Sequence, residues 1–204
     1  MKILKSSALI GALLVSGNVL ANDLTYDFAN VSYVKYGTGS DSIDGFGFEL
    51  NKLLNDKLYL NGSYTNVSDS FSENVGGEML RGKVDGDLLS FGLGYRHSLQ
   101  QNVDWFLEGG LSYVDMSARV SGGGVTFRES YDDTGYYGAT GINALLTPKL
   151  QAQVFVRYTD IADTSSTEFG VQGRYRFTNN FHGIVGVSRD SDDTTMRIGL
   201  SYAF

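Results

Sequence analysis

The stretch TTMRIGLSYAF, residues 194–204, decides how the rest of the sequence is interpreted. Read with a period of two, it separates apolar side chains from small or polar ones, which is the pattern of a β-strand. The apolar face continues to the last residue, whereas the ends of soluble domains usually carry polar sequence. The pattern therefore predicts a strand whose apolar face is covered by something other than water. That face consists of Met196, Ile198, Leu200, Tyr202 and Phe204.

The first 21 residues have the features of a secretory signal peptide. Two lysines precede a short apolar run, and small or aliphatic residues lead to a candidate cleavage site after Ala21. The alternative is a retained membrane helix, but the run is shorter than the roughly 20 residues that such a helix needs. The sequence predicts that residues 1–21 are removed on export and that residues 22–204 form one domain.

The composition is that of a β-rich exported protein. Of 204 residues, 26 are glycine, 13 tyrosine and 12 phenylalanine, while proline occurs once and cysteine not at all. Aromatic residues favour strands, and without cysteine the fold depends on packing and hydrogen bonds instead of disulfides. The formal net charge of −7 argues against binding to nucleic acid and against a basic patch for anionic lipid. No stretch of residues 22–204 suits a membrane helix, so a membrane location would require a closed barrel.

Repeated segments divide the sequence into hairpins. In four of them an alternating strand runs into a short polar turn and then into a second alternating strand. Eight strands result, and two more, one from about residue 25 to residue 36 and one at the end of the chain, bring the total to ten. An eight-stranded barrel with one hairpin outside it is the alternative. The turns are residues 53–56, 98–102, 147–149 and 178–180.

The connections that alternate with these turns are longer and more acidic. Short turns at one end and longer loops at the other are typical of a transmembrane antiparallel up-and-down β-barrel, with the short turns in the periplasm. The sequence therefore predicts an all-β fold of this type. The longer connections are residues 37–43, 68–83, 117–134, 162–166 and 190–193.

The two faces of the strands distinguish a membrane barrel from a soluble one. One face is almost uninterrupted in apolar side chains, and the other mixes arginine with glycine, serine and glutamine. A soluble lipocalin-type barrel would expose its polar face to water and carry more lysine and glutamate there. Arginine among small residues suits a narrow, hydrogen-bonded interior instead. We therefore expect lipid against the apolar face. The alternation is ambiguous only in the first strand and in the strand after Phe181, where Ile184 interrupts it.

Two sets of candidate residues follow from these faces. Charged side chains on the inner face would form an ion-pair network that fills the lumen: Glu49, Arg96, Glu108, Arg157, Arg174, Arg176 and Arg197. Aromatic side chains near the strand ends would form girdles at the two membrane interfaces: Tyr64, Tyr95, Trp105, Tyr113, Tyr158, Phe169, Tyr175 and Phe177.

The signal peptide, the girdled strands and the terminal Phe204 together resemble the small monomeric outer-membrane β-barrels of Gram-negative bacteria, the porin-family and OmpA/OmpX-like proteins. Ten strands differ from the eight of OmpA and OmpX, so the particular functions of those proteins are not carried over. The resemblance implies a monomer in contact with outer-membrane lipid and lipopolysaccharide. It also implies that the barrel-insertion machinery reads the final strand through Ile198, Leu200, Tyr202 and Phe204.

Three functions remain open. A barrel filled by side chains would have a structural or surface role, because ten strands enclose little more space than the eight-stranded case that side chains fill. A narrow gated pore would use the same lumen charges as a filter. Loop-mediated adhesion or surface recognition would use the acidic residues of the longer connections: Asp69, Glu73, Glu78, Glu129, Asp132, Asp133, Asp190, Asp192 and Asp193.

The sequence predicts neither catalysis nor a cofactor. The two histidines, His97 and His182, flank predicted periplasmic turns and have no Gly-x-Ser-x-Gly motif beside them. Without cysteine, and without a histidine pair at ligand spacing, a zinc site is not expected. The acidic connections contain no calcium-loop pattern either.

Overall fold

The computed structural model describes residues 24–37, 42–75, 78–123, 125–161, 164–191 and 193–204. The predicted signal peptide, the predicted mature start at residue 22 and Asp192 lie outside these ranges. Among the described residues, no helix is long and apolar enough to cross a membrane.

Ten antiparallel strands follow one another in chain order and close into a barrel. Each strand pairs with its sequence neighbours, and the last pairs with the first. The prediction of a ten-stranded up-and-down barrel is confirmed, and the eight-stranded alternative is wrong. The strands are β1 (Phe28–Tyr36), β2 (Ile43–Leu53), β3 (Leu58–Val75), β4 (Glu78–Gln100), β5 (Val103–Gly122), β6 (Val125–Thr147), β7 (Leu150–Ile161), β8 (Thr164–Arg176), β9 (Phe181–Arg189) and β10 (Thr194–Ala203).

The seam between β1 and β10 closes the barrel and fixes the register that the sequence left ambiguous. The pairing runs without a bulge from Phe28 opposite Ala203 to Tyr36 opposite Thr195. It places Val34 in the lumen and Val31 outside, so each face of β1 carries some apolar residues. In β9, Ile184 is buried in the lumen, which explains why it interrupts the alternation.

The barrel wall separates apolar from polar side chains by strand alternation. Outward residues are exposed and apolar, for example Phe46 and Leu93, whereas inward residues such as Ser90 and Ser112 are buried and polar. The predicted assignment of the two faces is confirmed. A closed sheet satisfies its backbone hydrogen bonds internally, and a wall with an apolar exterior is what a bilayer requires.

Compact turns join the strands at one end of the barrel. In the β2–β3 turn, the backbone amides of Lys57 and Leu58 both donate to Asn55 Oδ1 at 2.9 Å. In the β8–β9 turn, the Phe181 amide donates to Thr178 Oγ1 at 3.0 Å. Such side-chain hydrogen bonds explain why asparagine and threonine occupy these turns. The four predicted turn positions agree with the observed ones to within a few residues.

Two of the predicted long loops are strands instead. The predicted loop 68–83 lies mainly in β3 and β4, and the predicted loop 117–134 lies mainly in β5 and β6. β2 stops pairing with β3 at Ser68, and β7 stops pairing with β6 at Tyr136. Above these residues the two hairpins continue as one four-stranded sheet without the rest of the barrel. We call it the projecting sheet; it comprises residues 69–75, 78–86, 116–122 and 125–131.

Candidate functional site: the lumen and the projecting sheet

The lumen contains a polar cavity of about 300 Å³. Five of the seven predicted lumen charges line it: Glu49, Glu108, Arg157, Arg174 and Arg197. The other two are not among its lining residues. Arg96 lies near the short turns beside Asp104, and Arg176 pairs in register with His182. The sequence therefore identified charged groups of one interior, but not how they contact one another.

The two lumen carboxylates are held by neutral donors. Asn30 Nδ2 donates to Glu49 Oε2 at 2.8 Å, and the Tyr59 hydroxyl donates to Glu108 Oε1 at 2.8 Å. Among the described residues, neither carboxylate has an arginine or lysine nitrogen within 4.0 Å. This corrects the predicted ion-pair network. Neutral hydrogen bonds satisfy Glu49 and Glu108, because amide and hydroxyl donors on the wall reach them.

Two arginines that line the cavity, Arg157 and Arg174, lie over aromatic rings. The Arg157 guanidinium is 4.0 Å from the ring centroid of Tyr137, and that of Arg174 is 3.7 Å from the ring centroid of Phe28. Arg157 also donates to Ser90 Oγ at 3.0 Å. A cation over an aromatic face is attracted by the ring quadrupole, most strongly where water is excluded. Aromatic rings therefore stabilise the charge of these two arginines, which the sequence analysis expected carboxylates to do.

Sequence reasoning missed the inward-facing aromatic residues. Tyr59 and Tyr137 stand at lumen positions, and each lies directly opposite a glycine, Gly94 or Gly110, on the adjacent strand. A Cβ atom at Gly94 would overlap the Tyr59 ring, and one at Gly110 would lie 2.8 Å from the Tyr137 ring. A glycine at an inward position, opposite an inward aromatic residue of the adjacent strand, is the sequence signal that could have identified them.

The segment before β1 closes the short-turn end of the lumen. We call residues 24–27 the terminal plug. The buried side chains of Leu24 and Tyr26 pack in one cluster with Tyr59 and Leu145. Asn143 Nδ2 donates to the Tyr26 hydroxyl at 3.1 Å. The predicted first strand, from about residue 25, is thus too long: the plug leaves the sheet and crosses the lumen.

Backbone hydrogen bonds anchor the terminal plug to the far wall. The Thr25 amide donates to Gln151 Oε1 at 3.0 Å, and Arg174 Nη1 donates to the Thr25 carbonyl at 3.2 Å. Arg96 lies over the Tyr26 ring, 4.7 Å from its centroid. Contacts to β4, β7 and β8 hold the plug across the whole width of the barrel.

Some buried polar atoms of the lumen have no hydrogen-bond partner among the described residues. They include Ser201 Oγ and both ring nitrogens of His182, which lie opposite each other on β10 and β9. No hydrogen bond joins these two side chains among the described residues, so they do not form a nucleophile–base pair. Such buried groups are the usual sites of ordered water. The other histidine, His97, is exposed outside the lumen.

The outer wall carries the predicted girdle side chains. All eight face outward, and pairs of them contact each other: the Tyr95 and Trp105 rings are 6.3 Å apart, and the Tyr175 and Phe177 rings 5.5 Å. The predicted insertion residues on and after β10 also face outward: Ile198, Leu200, Tyr202 and Phe204. Their role in insertion stays a prediction.

The acidic residues predicted to lie in loops fall into two separate places. Asp69, Glu73 and Glu129 are exposed on the projecting sheet. Asp190 and Asp193 lie apart, where the Asp193 amide donates to Asp190 Oδ1 at 2.8 Å and closes the β9–β10 turn. The described residues include no group of three histidine, aspartate or glutamate side chains placed to hold a metal ion. The acidic residues therefore form a surface pattern and not a chelating cluster.

The projecting sheet has the opposite polarity to the barrel wall. The face that continues the lumen side, here called the inner face, carries exposed Phe71, Val120 and Phe127. The outer face, which continues the apolar exterior of the wall, carries serine and charged residues such as Lys83 and Arg119. The strand pairing has no register shift in this region. The reversal is therefore a property of the sequence and not of a bulge.

Similar solved structures include membrane barrels of several kinds. The translocator domain of the autotransporter NalP from Neisseria meningitidis is 16% identical, with 97% of this chain and 92% of that chain covered and a TM-score of 0.54. An outer membrane channel from Pseudomonas putida F1 is 12% identical, with 93% and 99% covered and a TM-score of 0.51. Ail, the attachment invasion locus protein of Yersinia pestis, is 17% identical, with 87% and 95% covered and a TM-score of 0.47. At these identities the first two show a shared fold and nothing more.

Sequence comparison gives the family directly. Among curated proteins, no sequence matched this chain. A family model of the outer membrane protein β-barrel domain, however, matches residues 7–204. This match covers nearly the whole chain and agrees with the closed barrel and its apolar exterior. The chain therefore belongs to the outer membrane protein β-barrel family.

Proposed function

We propose that this protein is a recognition protein of the bacterial outer membrane, in which the barrel is the anchor and the projecting sheet binds a partner outside the cell. The observation that carries this proposal is the reversed polarity of the projecting sheet. Large apolar side chains such as Phe127, which is 72% exposed, stand uncovered beyond the barrel. Exposed apolar patches rimmed by polar residues mark interaction sites.

The size of the projecting sheet supports a role in binding. Beyond Ser68, β3 continues for seven residues to Val75, which corresponds to about 20 Å of strand. Connections within a compact domain are usually a few residues long. A rigid sheet of this length holds its side chains in fixed positions, which lowers the conformational entropy lost on binding.

The lumen supports anchoring better than transport. The terminal plug fills the short-turn end with Leu24 and Tyr26, which pack against Tyr59, and the side chain of Phe106 is also fully buried. A narrow gated pore would have to displace these packed side chains before solutes could cross. In the proposed function the lumen residues stabilise the barrel, and the protein catalyses no reaction.

Shortening both hairpins tests this proposal. Ser68 lies opposite Asp85, and Ser117 opposite Ser130. Joining each pair by a two-residue Asn-Gly turn removes the projecting sheet and leaves the barrel register intact. We expect the shortened protein to reach the outer membrane and to migrate on gels like a folded barrel. Bacteria that carry it should bind cultured epithelial cells no better than bacteria without the gene.

Two results would contradict the proposal. One is equal cell binding by bacteria with the shortened and the full-length protein. The other is that bacteria with the full-length protein bind no better than bacteria lacking it. A matched control exchanges the β8–β9 turn, residues 177–180, for another four-residue turn at the opposite end of the barrel, and should leave binding unchanged.

A further inference from the structure

We infer that the inner face of the projecting sheet docks a basic amphipathic helix. This inference rests on the proposed function and specifies its partner. It follows from how apolar and acidic side chains are arranged on that face, from the position of every basic residue of the described sheet, and from the width of the sheet.

The middle of the inner face is an apolar floor. Cross-strand pairing places Phe71, Gly82, Val120 and Phe127 in one row across the four strands. A Cβ atom at Gly82 would overlap the Phe71 ring, so the ring lies flat over the glycine. The next row towards the barrel also has an apolar centre, Val84 and Ala118. The floor is therefore continuous over β4 and β5, without a charged side chain from either strand among the described inner-face residues.

Carboxylates stand on both sides of this floor. Asp69 on β3 and Glu129 on β6 lie at the two ends of the row that contains Val84 and Ala118. Glu73 adds a second carboxylate on β3, four residues further from the barrel. All three are exposed. None has a lysine or arginine nitrogen within 4.0 Å among the described residues, so their charges are available to a partner.

The basic residues of the sheet all lie on the other face. Lys83 and Arg81 on β4, Arg119 on β5 and Arg128 on β6 occupy outer-face positions by strand alternation. The inner face is thus apolar and purely acidic, whereas the outer face carries both signs. A partner that complements the inner face must be apolar along one stripe and positively charged on both sides of it.

The dimensions of the sheet fit one helix. Three strand spacings separate β3 from β6, which places the two carboxylate rows about 14 Å apart. An α-helix with its side chains is about 10 Å across, so one helix lies between the rows. Its apolar stripe then contacts the floor formed around Val120, and lysines or arginines on its two flanks reach Asp69 and Glu129. This is the helix-in-groove mode of recognition.

Charge argues against two other occupants. Two inner faces placed against each other would oppose like-charged carboxylates, which disfavours a second copy of this chain. Phosphate groups of lipopolysaccharide would meet the same acidic rows without a basic residue on that face to neutralise them. Self-association and lipopolysaccharide binding are both measured in the test below.

Binding of a synthetic peptide tests the inference on the full-length protein in nanodiscs of phosphatidylcholine. The probe is a fluorescent 18-residue peptide of leucine and lysine that forms an amphipathic helix. We expect saturable binding by anisotropy, absent with empty nanodiscs. The double variant Asp69→Asn with Glu129→Gln should raise the Kd about tenfold, and so should Phe127→Ser with Val120→Ser. Binding should weaken with added salt.

A matched pair of carboxylates on the outer face is the control. Asp115 and Asp132 lie opposite each other on the outward side of β5 and β6, at the base of the projecting sheet, and their replacement by asparagine should change the Kd less than twofold. Equal losses from inner and outer variants, or an unchanged Kd for both inner variants, would overturn the inference. So would equal binding of a leucine–glutamate peptide, binding of lipopolysaccharide that the inner variants abolish, or a dimer seen by light scattering that Phe127→Ser dissociates.

The same variants separate this inference from the proposed function. If shortening the hairpins abolishes cell binding while both inner-face variants retain it, the sheet is a recognition element but its inner face is not the site. If the shortened protein still supports cell binding, the proposed function itself is wrong. Loss of cell binding in the inner-face variants and the shortened protein, with retention in the outer-face control, supports both.

Discussion

Strands β3 to β6 run through both the barrel wall and the projecting sheet. The face that is apolar in one of these regions is polar in the other. In the barrel wall, outward side chains such as Leu93 are apolar, and inward ones such as Ser112 are polar and buried. In the projecting sheet, inward Phe127 is apolar and exposed, while outward Lys83 is charged. The pairing of β3 with β4 and of β4 with β5 has no register shift where the wall passes into the projecting sheet. The environment of each face, and not the backbone, therefore sets the polarity of the sequence.

The strongest test of this contrast places a charge on the apolar side of each region. Leu93 lies opposite Gly109, midway between the girdle residues Trp105 and Tyr113 on β5. We expect Leu93→Arg to lower the free energy of unfolding by about 2–4 kcal/mol, because the guanidinium enters the lipid-facing wall. Val120→Arg in the projecting sheet should change it by no more than about 0.5 kcal/mol.

Urea titration of the protein folded in phosphatidylcholine vesicles measures both values. Similar losses for the two variants would show that the projecting sheet is covered as the wall is. No loss from Leu93→Arg would mean that this part of the wall does not contact lipid.

A second test compares packed aromatic residues with uncovered ones. Tyr26 of the terminal plug is 3% exposed, and its ring lies tilted against that of Tyr59 with the centroids 5.2 Å apart, whereas Phe127 is 72% exposed. Tyr26→Ala should destabilise the barrel by about 3 kcal/mol, as truncation of a buried aromatic does, and Phe127→Ala by much less. Because Tyr26 closes the short-turn end, we also expect discrete conductance steps in planar bilayers for Tyr26→Ala but not for the unmodified protein.

The conductance and the stability of Tyr26→Ala both test how the lumen is closed. Conductance by the unmodified protein would favour the pore over the anchor. Conductance that is absent from Tyr26→Ala would show that the plug alone does not close the lumen, and an unchanged stability would show that its packing contributes little.

The strand order and the wall were predictable from sequence, but the plug and the projecting sheet were not. Apolar and polar side chains that alternate with period two, up to girdle residues such as Tyr64 and Tyr113, indicate a strand with lipid on one side. Where that alternation stops, a strand can end or merely leave the membrane, and the sequence pattern is the same in both cases. The strands were therefore predicted to end near Ser68 and Ser117, although they continue as one sheet.

The lumen contacts were beyond sequence reasoning for a different reason. Thr25 bonds to Gln151 and Tyr26 to Asn143, at sequence separations of 126 and 117 residues. No local signal marks where such a segment leaves the sheet, so the first strand was predicted to include residues that in fact cross the barrel. The charged lumen residues could be identified from the sequence because charged side chains are rare on the strands of a barrel wall. The residues that they contact could not be identified. An inward tyrosine such as Tyr59 carries no local sign of the carboxylate that it contacts.

A third comparison concerns hydrogen bonds to carboxylates. The Tyr59 hydroxyl holds Glu108 inside the lumen, and the Tyr131 hydroxyl donates to Asp133 at 2.9 Å on exposed strand β6. Tyr59→Phe should lower the free energy of unfolding by about 2 kcal/mol, because it leaves a half-buried carboxylate in the lumen without its donor. Tyr131→Phe should have little effect, since water replaces the lost bond.

Vesicle unfolding in urea measures this pair as well. If the two substitutions cost the same, water reaches Glu108 as freely as it reaches the projecting sheet. The lumen would then be wet instead of filled by side chains.

The smallest effect is expected on the outer face of the projecting sheet, outside the membrane. Lys83 Nζ contacts the Asp85 carboxylate at 2.6 and 2.8 Å, and Ser68 Oγ donates to it at 2.8 Å. The Lys83 bond, and then the Ser68 bond, lower the pKa of the Asp85 carboxyl below its ordinary value. Stability from this lowered pKa is present above the ordinary pKa and is lost as pH falls through the folded-state pKa. Asp85 is half-exposed, so solvent screens the effect.

Lys83→Met should therefore raise the Asp85 pKa towards its ordinary value and leave the urea midpoint at neutral pH unchanged. Ser68→Ala should raise the pKa by less. Carbon-detected NMR titration of the side-chain carboxyl in nanodiscs measures both shifts. A large loss of stability from Lys83→Met would mean that this pair is shielded from water, and the outer face of the projecting sheet would then resemble the barrel lumen more than a free surface.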